Sequence, residues 1–288
     1  MSRITGWALL CALTFSLGTA HSAVGQATLQ SSLQQSAAPV SAILYDNFNE
    51  KWLDPNRWYA GLSGGSTPDY YEACYYSSNV LECIRELQAG HLRLEVRGYG
   101  ETTSNQGDQY GEAKLIMSQP QGVKSLTADV VVVRASASDC AVNPGSFSQA
   151  MMTASFFNNG SGLSADNVSA NVSLEPTPSV NPSTITIIGN MAWEGQYTGY
   201  VTIGTVPIGT PVRATLAWDH PSHQFVIGFK NLANGESFSA DVPYTQSDTL
   251  APTGDWKGLY VQVFPNNCVN QQTWEGIEAT FDNVVITR

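Results

Sequence analysis

The chain is 288 residues long, and only 13% of them are charged, with 24 Asp plus Glu against 13 Lys plus Arg for a net charge of −11. A surface of that sign repels phosphate backbones and anionic lipid, which disfavours nucleic acid as a partner and means that gripping a polyanionic polysaccharide would need a local basic groove. Beyond the first residues, no stretch reaches the roughly 18 consecutive apolar residues of a membrane-spanning helix.

At the N-terminus, Arg3 precedes an apolar run from Trp7 to Leu17, and small residues follow at Gly18, Thr19, Ala20 and Ala23. This is the pattern of a secretory signal peptide over residues 1–23, with cleavage between 20 and 27. Residues 24–40 are rich in Gln, Ser and Ala and read as a flexible leader. Residues 41–288 contain no linker and read as a single domain. Removing the signal discards Cys11 and leaves Cys74, Cys83, Cys140 and Cys268. An even number in an exported chain favours disulfides over metal thiolates, and no CxxC spacing occurs. Of the possible connectivities, the preferred one pairs Cys74 with Cys83 across a short local loop and leaves Cys140 with Cys268 as a long-range staple.

From Ile43 onward strand signals recur at short intervals. Leu92, Leu94 and Val96 alternate with charged neighbours, which predicts a half-buried antiparallel strand. Leu126 to Val133 is apolar almost throughout and predicts a central strand covered on both sides. Ser183–Ile188 and Tyr197–Ile203 follow. Val212, Ala214, Leu216 and Trp218 alternate, as do Phe225, Ile227 and Phe229. Asn234-Gly235 signals a type I′ hairpin before Phe238. Leu259–Phe264 and Ile277–Ile286 close the chain, the first and last strands being expected to meet near one edge. About a dozen strands suit an all-β, two-sheet antiparallel sandwich better than one open sheet.

Two segments carry a family resemblance. Tyr45-Asp46-Asn47-Phe48-Asn49, followed by Leu53-Asp54-Pro55-Asn56-Arg57-Trp58, resembles the first strand and turn of concanavalin A-like lectin/glucanase jelly rolls. Ala279-Thr280-Phe281-Asp282-Asn283-Val284 resembles their final strand. Pro211–Trp218 with Phe225–Phe229 is similar to their back-sheet hairpin. The resemblance implies a jelly-roll sandwich, an architecture shared by glycan-binding and glycan-cleaving domains, and not an activity. It also implies a structural Ca²⁺ near both termini, with Asp46 and Asp282 as ligands. The alternative is that both carboxylates cap turns.

The catalytic signatures of such folds are incomplete. The Glu-x-Asp-x-x-Glu string of laminarinase-like hydrolases is absent, and the nearest carboxylates, Glu275, Glu278 and Asp282, lack its spacing. Alginate lyase-like sites combine an Arg-rich strand, a Gln-Ile-His strand and a Lys/Tyr/Gln strand. Arg85-Glu86-Leu87 resembles the first and Lys257–Gln262 the last, but the histidine-bearing strand is not found, and Tyr260 alone is half of an acid–base pair. Asp219, His220 and His223 read as a polar turn, since a zinc site would need a third ligand.

Aromatic side chains remain. Tyr75 and Tyr76 adjoin Tyr70, Tyr71 and Cys74; Trp193 and Tyr197 lie in a Gly-spaced segment; Trp256, Tyr260 and Trp274 lie near the C-terminus. Sugars stack their CH faces on such rings while amides and carboxylates take the hydroxyls. The competing reading makes them core residues, as Trp58 and Trp218 are expected to be. Together these features predict a secreted or periplasmic domain that binds a polysaccharide or cell-surface glycan without a recognisable catalytic motif. The alternatives are a polysaccharide-cleaving enzyme and an envelope component with no small ligand. Asn159, Asn167 and Asn171 are sequon positions.

Overall fold

The computed structural model describes residues 41–59, 74–76, 82–177, 182–193 and 196–288; the signal and leader segments, Tyr70 and Tyr71 lie outside them. The described strands are β1 (Ile43–Asp46), β2 (Cys74–Tyr76), β3 (Glu82–Gln88), β4 (His91–Tyr99), β5 (Gly111–Ile116), β6 (Ser125–Ser138), β7 (Phe147–Asn158), β8 (Asn167–Thr177), β9 (Thr184–Trp193), β10 (Gln196–Pro207), β11 (Val212–Asp219), β12 (Gln224–Asn231), β13 (Ser237–Pro243), β14 (Lys257–Phe264) and β15 (Trp274–Thr287). They form an antiparallel sandwich of jelly-roll type. The first sheet runs β13-β12-β11-β6-β15-β4-β3, with β1 paired to β15, and the second runs β10-β9-β8-β7-β14-β5-β2.

Period-two alternation builds the core between the sheets. Leu92, Leu94 and Val96 of β4 and Leu126, Ala128 and Val130 of β6 point inward from the first sheet. Ala150 and Met152 of β7, Val172 and Leu174 of β8, and Val261 and Val263 of β14 meet them from the second. A register shift between Ser155 and Phe157 lets β7 bury both Phe156 and Phe157. These rings pack with Phe225 and the half-buried Trp218 at one end of the sandwich. Gly204 lies against the Phe229 ring, where a Cβ would come within 2.4 Å of it, so the close approach of the sheets there requires glycine.

Three expectations need correction. β6 is central but half-buried: Leu126, Ala128, Val130 and Val132 are buried while Val133 is 44% exposed, because the outer face of the first sheet is open to solvent. β1 does meet β15, but β15 lies between β6 and β4 inside the sheet and not at its edge. The β12–β13 turn is not type I′. Only Gly235 in it has positive φ, and the loop is longer than two residues, closed by bonds from Gly235 N–H to the Asn231 carbonyl and from Asn231 N–H to the Glu236 carbonyl.

Both preferred disulfides form. Cys74–Cys83 ties β2 at the edge of the second sheet to β3 at the edge of the first, and Cys140–Cys268 joins two loops 128 residues apart in sequence. Trp58 is fully buried, donates its indole N–H to Asp46 at 2.6 Å, and packs against Tyr45 and Phe48. Among the described residues, no helix is long and apolar enough to cross a membrane.

Candidate functional site

The outer face of the second sheet carries side chains that a solvated surface does not ordinarily hold. Alternation along β5, β7, β8 and β14 points Ala113, Ala150, Val172 and Val261 into the core. It therefore points Glu112, Lys114, Gln149, Met151, Asn171, Ser173, Tyr260 and Gln262 to the other side. Glu112, Lys114, Gln149 and Gln262 are nonetheless buried. Burying polar groups is costly unless they are mutually bonded.

They are bonded in a chain that crosses three adjacent strands. Gln149 Nε2 donates to Gln262 Oε1 at 2.7 Å, and Gln262 Nε2 donates to the Tyr110 hydroxyl at 2.8 Å and to Glu112 Oε2 at 3.2 Å. The Tyr110 hydroxyl and Lys114 Nζ both donate to Glu112. The register explains the contacts, since Gln262 lies opposite Glu112 on one side and Gln149 on the other. Glu175, one residue past the Ala150–Leu174 pair, continues the row onto β8. Burial pushes its carboxyl up to about 7. The next row places Tyr260 between Lys114 and Met151, with Ser173 beyond Met151. Asn190, Asn171 and Thr153 form a third row, in which Asn171 Nδ2 donates to Asn190 Oδ1 at 2.8 Å.

Aromatic groups flank the polar rows. Trp256 meets Tyr260 edge-on at 6.2 Å, and Ile116 and Met151 pack with them in a small apolar cluster separate from the main core. A Cβ on Gly258 would come within 2.9 Å of the Tyr260 ring and 2.7 Å of the Leu115 carbonyl oxygen, so glycine lets the ring lie back along its own strand. On the opposite flank Phe264 stacks on Phe147 at 4.3 Å and lies 5.1 Å from Tyr110.

Of the aromatic residues singled out in the sequence, the structure brings Tyr260 and Trp256 together on this face. Trp193 packs against the main core, its buried indole N–H without a partner. Trp274 lies on the first sheet with the Arg97 guanidinium 5.2 Å from its ring. The backbones of Tyr75, Tyr76 and Tyr197 belong to β2 and β10, and their side chains fall outside the described residues.

Asp46 and Asp282 keep separate partners. Asp46 accepts the Phe48 N–H and the Trp58 indole, and Asp282 accepts the Asn283 N–H and lies 3.5 Å from His91 Nδ1. The two carboxylates share no donor set. Glu275 and Glu278 do not form a site either, because Glu275 points into the core while Glu278 on the outer face bonds Arg93 and Arg134. Arg85 reaches the Lys114 carbonyl from β3 of the other sheet and is not on the Tyr260 face. The His220–His223 turn does acquire a third group, Asp248, with His220 Nε2 at 3.3 Å and His223 Nδ1 at 3.1 Å from one carboxylate oxygen. Among the described residues, however, no set of three or more His, Cys, Asp or Glu is arranged to hold a metal ion.

The face offers hydrogen bonding, ring stacking and the ionisable groups Glu112, Lys114, Glu175 and Tyr260. The described histidines, His91, His220 and His223, belong to β4 and the β11–β12 turn of the first sheet, so none stands near Tyr260 as an acid–base partner. Glu175 and Glu112 are three strand spacings apart, about 14 Å along the sheet. Paired glycosidase carboxylates stand about 5–9.5 Å apart. The sequence reading missed Glu112, Lys114, Gln149, Asn171, Ser173 and Glu175. Their signal was there as period-two alternation, but Ala, Ser and Met on β7 blur the contrast between the two faces.

No protein-family model and no curated protein matches the chain. Among solved structures it is similar to winged bean acidic lectin complexed with methyl-α-D-galactose, at 13% identity over 74% of this chain and 98% of that one, TM-score 0.35. It is also similar to a GlcNAcα1-4Gal releasing endo-β-galactosidase from Clostridium perfringens, at 12% identity over 86% of this chain and 65% of that one, TM-score 0.40. Scytalido-glutamic peptidase shares 11% identity over 65% of each chain, TM-score 0.34. At these values the likeness concerns the sandwich arrangement and does not extend to a site.

Proposed function

We propose that this is an exported glycan-binding β-sandwich protein that takes its ligand on the outer face of the second sheet. The observation that carries the reading is the buried row Gln149–Gln262–Glu112, bonded across three strands beside the Trp256–Tyr260 pair. Amides and carboxylates that both donate and accept suit sugar hydroxyls, and the rings suit their CH faces. Two disulfides and the signal-like N-terminus support export to the periplasm or the medium. The described histidines lie on the first sheet, and Glu112 and Glu175 stand about 14 Å apart, wider than paired glycosidase carboxylates, which supports binding over cleavage. In a polysaccharide array, wild type is expected to retain at least one glycan, and Tyr260→Ala to lose roughly tenfold or more in affinity for it. Release of new reducing ends or of unsaturated sugar by the wild type would instead establish a cleaving enzyme.

A further inference from the structure

Solvent does not reach the outer face of the second sheet evenly. Gln149, Asn171 and Ser173 are buried, Glu175 is half-buried, and Tyr200, Thr202 and Thr205 are exposed. The face therefore opens toward its β8–β10 end. Alternation fixes which side chains stand there. Leu174 of β8, Ile185 and Ile187 of β9, and Ile203 and Val206 of β10 lie in the core, so Glu175, Thr186, Thr202 and Thr205 point outward. Tyr200 points outward too, because Gly199 before it faces the first sheet, where a Cβ would come within 2.7 Å of Val242.

Glu175 is the carboxyl at this end. It extends the Gln149–Gln262–Glu112 row, with Gln149 beside it on β7 and Thr186 on β9. Among the described residues it has no hydrogen-bond or ion-pair partner, and burial alone raises it to about 7. The other charged groups of the face are bonded to one another. Lys114 and the Tyr110 hydroxyl bond Glu112 at the β5 end, and Lys257 Nζ bonds Asp255 and the Ser155 carbonyl near the far end of β7. The nearest outward side chains of β7 and β9, Gln149, Met151, Thr184, Thr186 and Ile188, do not titrate. On β10 Tyr200 does. Its ring is 62% exposed, and burial together with the Glu175 charge raises its hydroxyl, which places it within electrostatic reach of that carboxyl. A carboxyl that solvent reaches and no described residue satisfies thus stands near an open aromatic ring.

We propose that Glu175 contacts the ligand, its neutral carboxyl donating a hydrogen bond to a sugar hydroxyl, so that glycan is held in mildly acidic surroundings and released in alkaline ones. The proposal rests on the glycan-binding reading and adds to it a contact residue and a pH dependence. A protonated carboxyl both donates and accepts, as a sugar hydroxyl does, whereas the ionised group only accepts. A bound sugar also strips the remaining water from Glu175, which penalises the charged form further. Ligand and proton therefore bind together: occupancy tightens the proton, and its loss above about pH 7 weakens the ligand.

The test is calorimetric titration of the full chain with laminari-, cello-, xylo- and galacto-hexasaccharides, and with whichever glycan the array retains, in buffers of different ionisation heat. Between about pH 6 and about pH 8 wild-type affinity is expected to fall about tenfold, with roughly one proton taken up per glycan bound at the higher pH. Glu175→Gln, which cannot ionise, is expected to show one affinity at both pH values and no proton uptake. Its thermal midpoint at the lower pH is expected to match that of wild type, so that the flat profile reports contact and not fold. Glu175→Ala is expected to lose about fivefold in affinity at the lower pH, the size of one neutral hydrogen bond. A wild-type affinity that holds steady or rises with pH, or a fall that persists in Glu175→Gln, overturns the proposal. If Glu175→Ala equals wild type while Tyr260→Ala is impaired, the proposal fails and the glycan-binding reading stands. If wild type binds none of these glycans, nor any on the wider array, both fall.

Discussion

Glu275 shows how far a single buried group departs from its ordinary chemistry. It is fully buried on β15, neither oxygen has a hydrogen-bond partner of normal geometry, and burial pushes its carboxyl up to about 8. The Ser148 side chain and the Phe264 backbone lie close enough to offset part of that push. The folded state therefore holds the proton more tightly than the unfolded chain, whose value is near 4.5. The resulting stability is fully present below the unfolded value and is lost as pH rises through about 8, on the order of 5 kcal/mol across the window. Glu175, raised to about 7, adds to the same trend. Denaturant unfolding at a series of pH values is expected to show stability falling from mildly acidic to mildly alkaline conditions. Glu275→Gln is expected to flatten most of that slope; an unchanged slope would mean that the carboxyl is already ionised at neutral pH. Asp46 works differently, since Asp46→Ala would strand the buried Trp58 indole N–H and the Phe48 N–H together. A loss of about 2–4 kcal/mol by the same measurement is expected.

At the scale of elements, the outer face of the first sheet is held by a closed ring of ion pairs. Arg93 and Arg134 each bond both Glu95 and Glu278, joining β4, β15 and β6, and Arg93 also reaches Glu86 on β3. Burial raises the Glu278 carboxyl, but the bonds and charges of the two arginines outweigh it and hold the group below the usual range. Removing Glu278 leaves Arg134 with one of its two carboxylate partners and Arg93 with two of its three. Glu278→Ala is therefore expected to lower unfolding free energy by about 1–3 kcal/mol while leaving glycan affinity at the wild-type level, since the proposed site lies on the other sheet. A fall in affinity at unchanged stability would contradict that division between the sheets. The same contrast explains which strands could be read in the sequence. β4, β11, β12 and the end of β15 alternate large apolar residues with charged or polar ones. β7 and β8 alternate Ala, Val and Leu with Gln, Ser, Thr and Asn, and β7 adds Met on both faces, while the short β5 places only Glu112 and Lys114 opposite Ala113 and Leu115. On β7 and β8 the outward residues are mostly buried and, Glu175 apart, uncharged, so alternation marks those two strands less clearly than the strands of the first sheet.

For the whole molecule, the two disulfides act at different ranges. In the chain-entropy view Cys140–Cys268, closing 128 residues, is worth about 5 kcal/mol, and Cys74–Cys83, closing 9, about 2.5 kcal/mol. The Cys140→Ala/Cys268→Ala variant is expected to be the less stable of the two double variants in equilibrium unfolding, and the reverse order would assign the larger role to the clamp between β2 and β3. The sequence by itself determined the all-β class, the Asp46–Trp58 opening motif, the β11–β12 hairpin and the disulfide pairing preferred on loop length. These depend on local periodicity, turn chemistry and cysteine count, all of which act over short stretches of chain. Tertiary structure alone decided that β15 lies inside its sheet, that Trp193 joins the core and Trp274 the opposite face, and that Gln149, Gln262, Glu112 and Thr153 share one surface with Tyr260. Those outcomes follow from the register between strands far apart in sequence, and register is set by the packing of two whole sheets. No single segment carries that information.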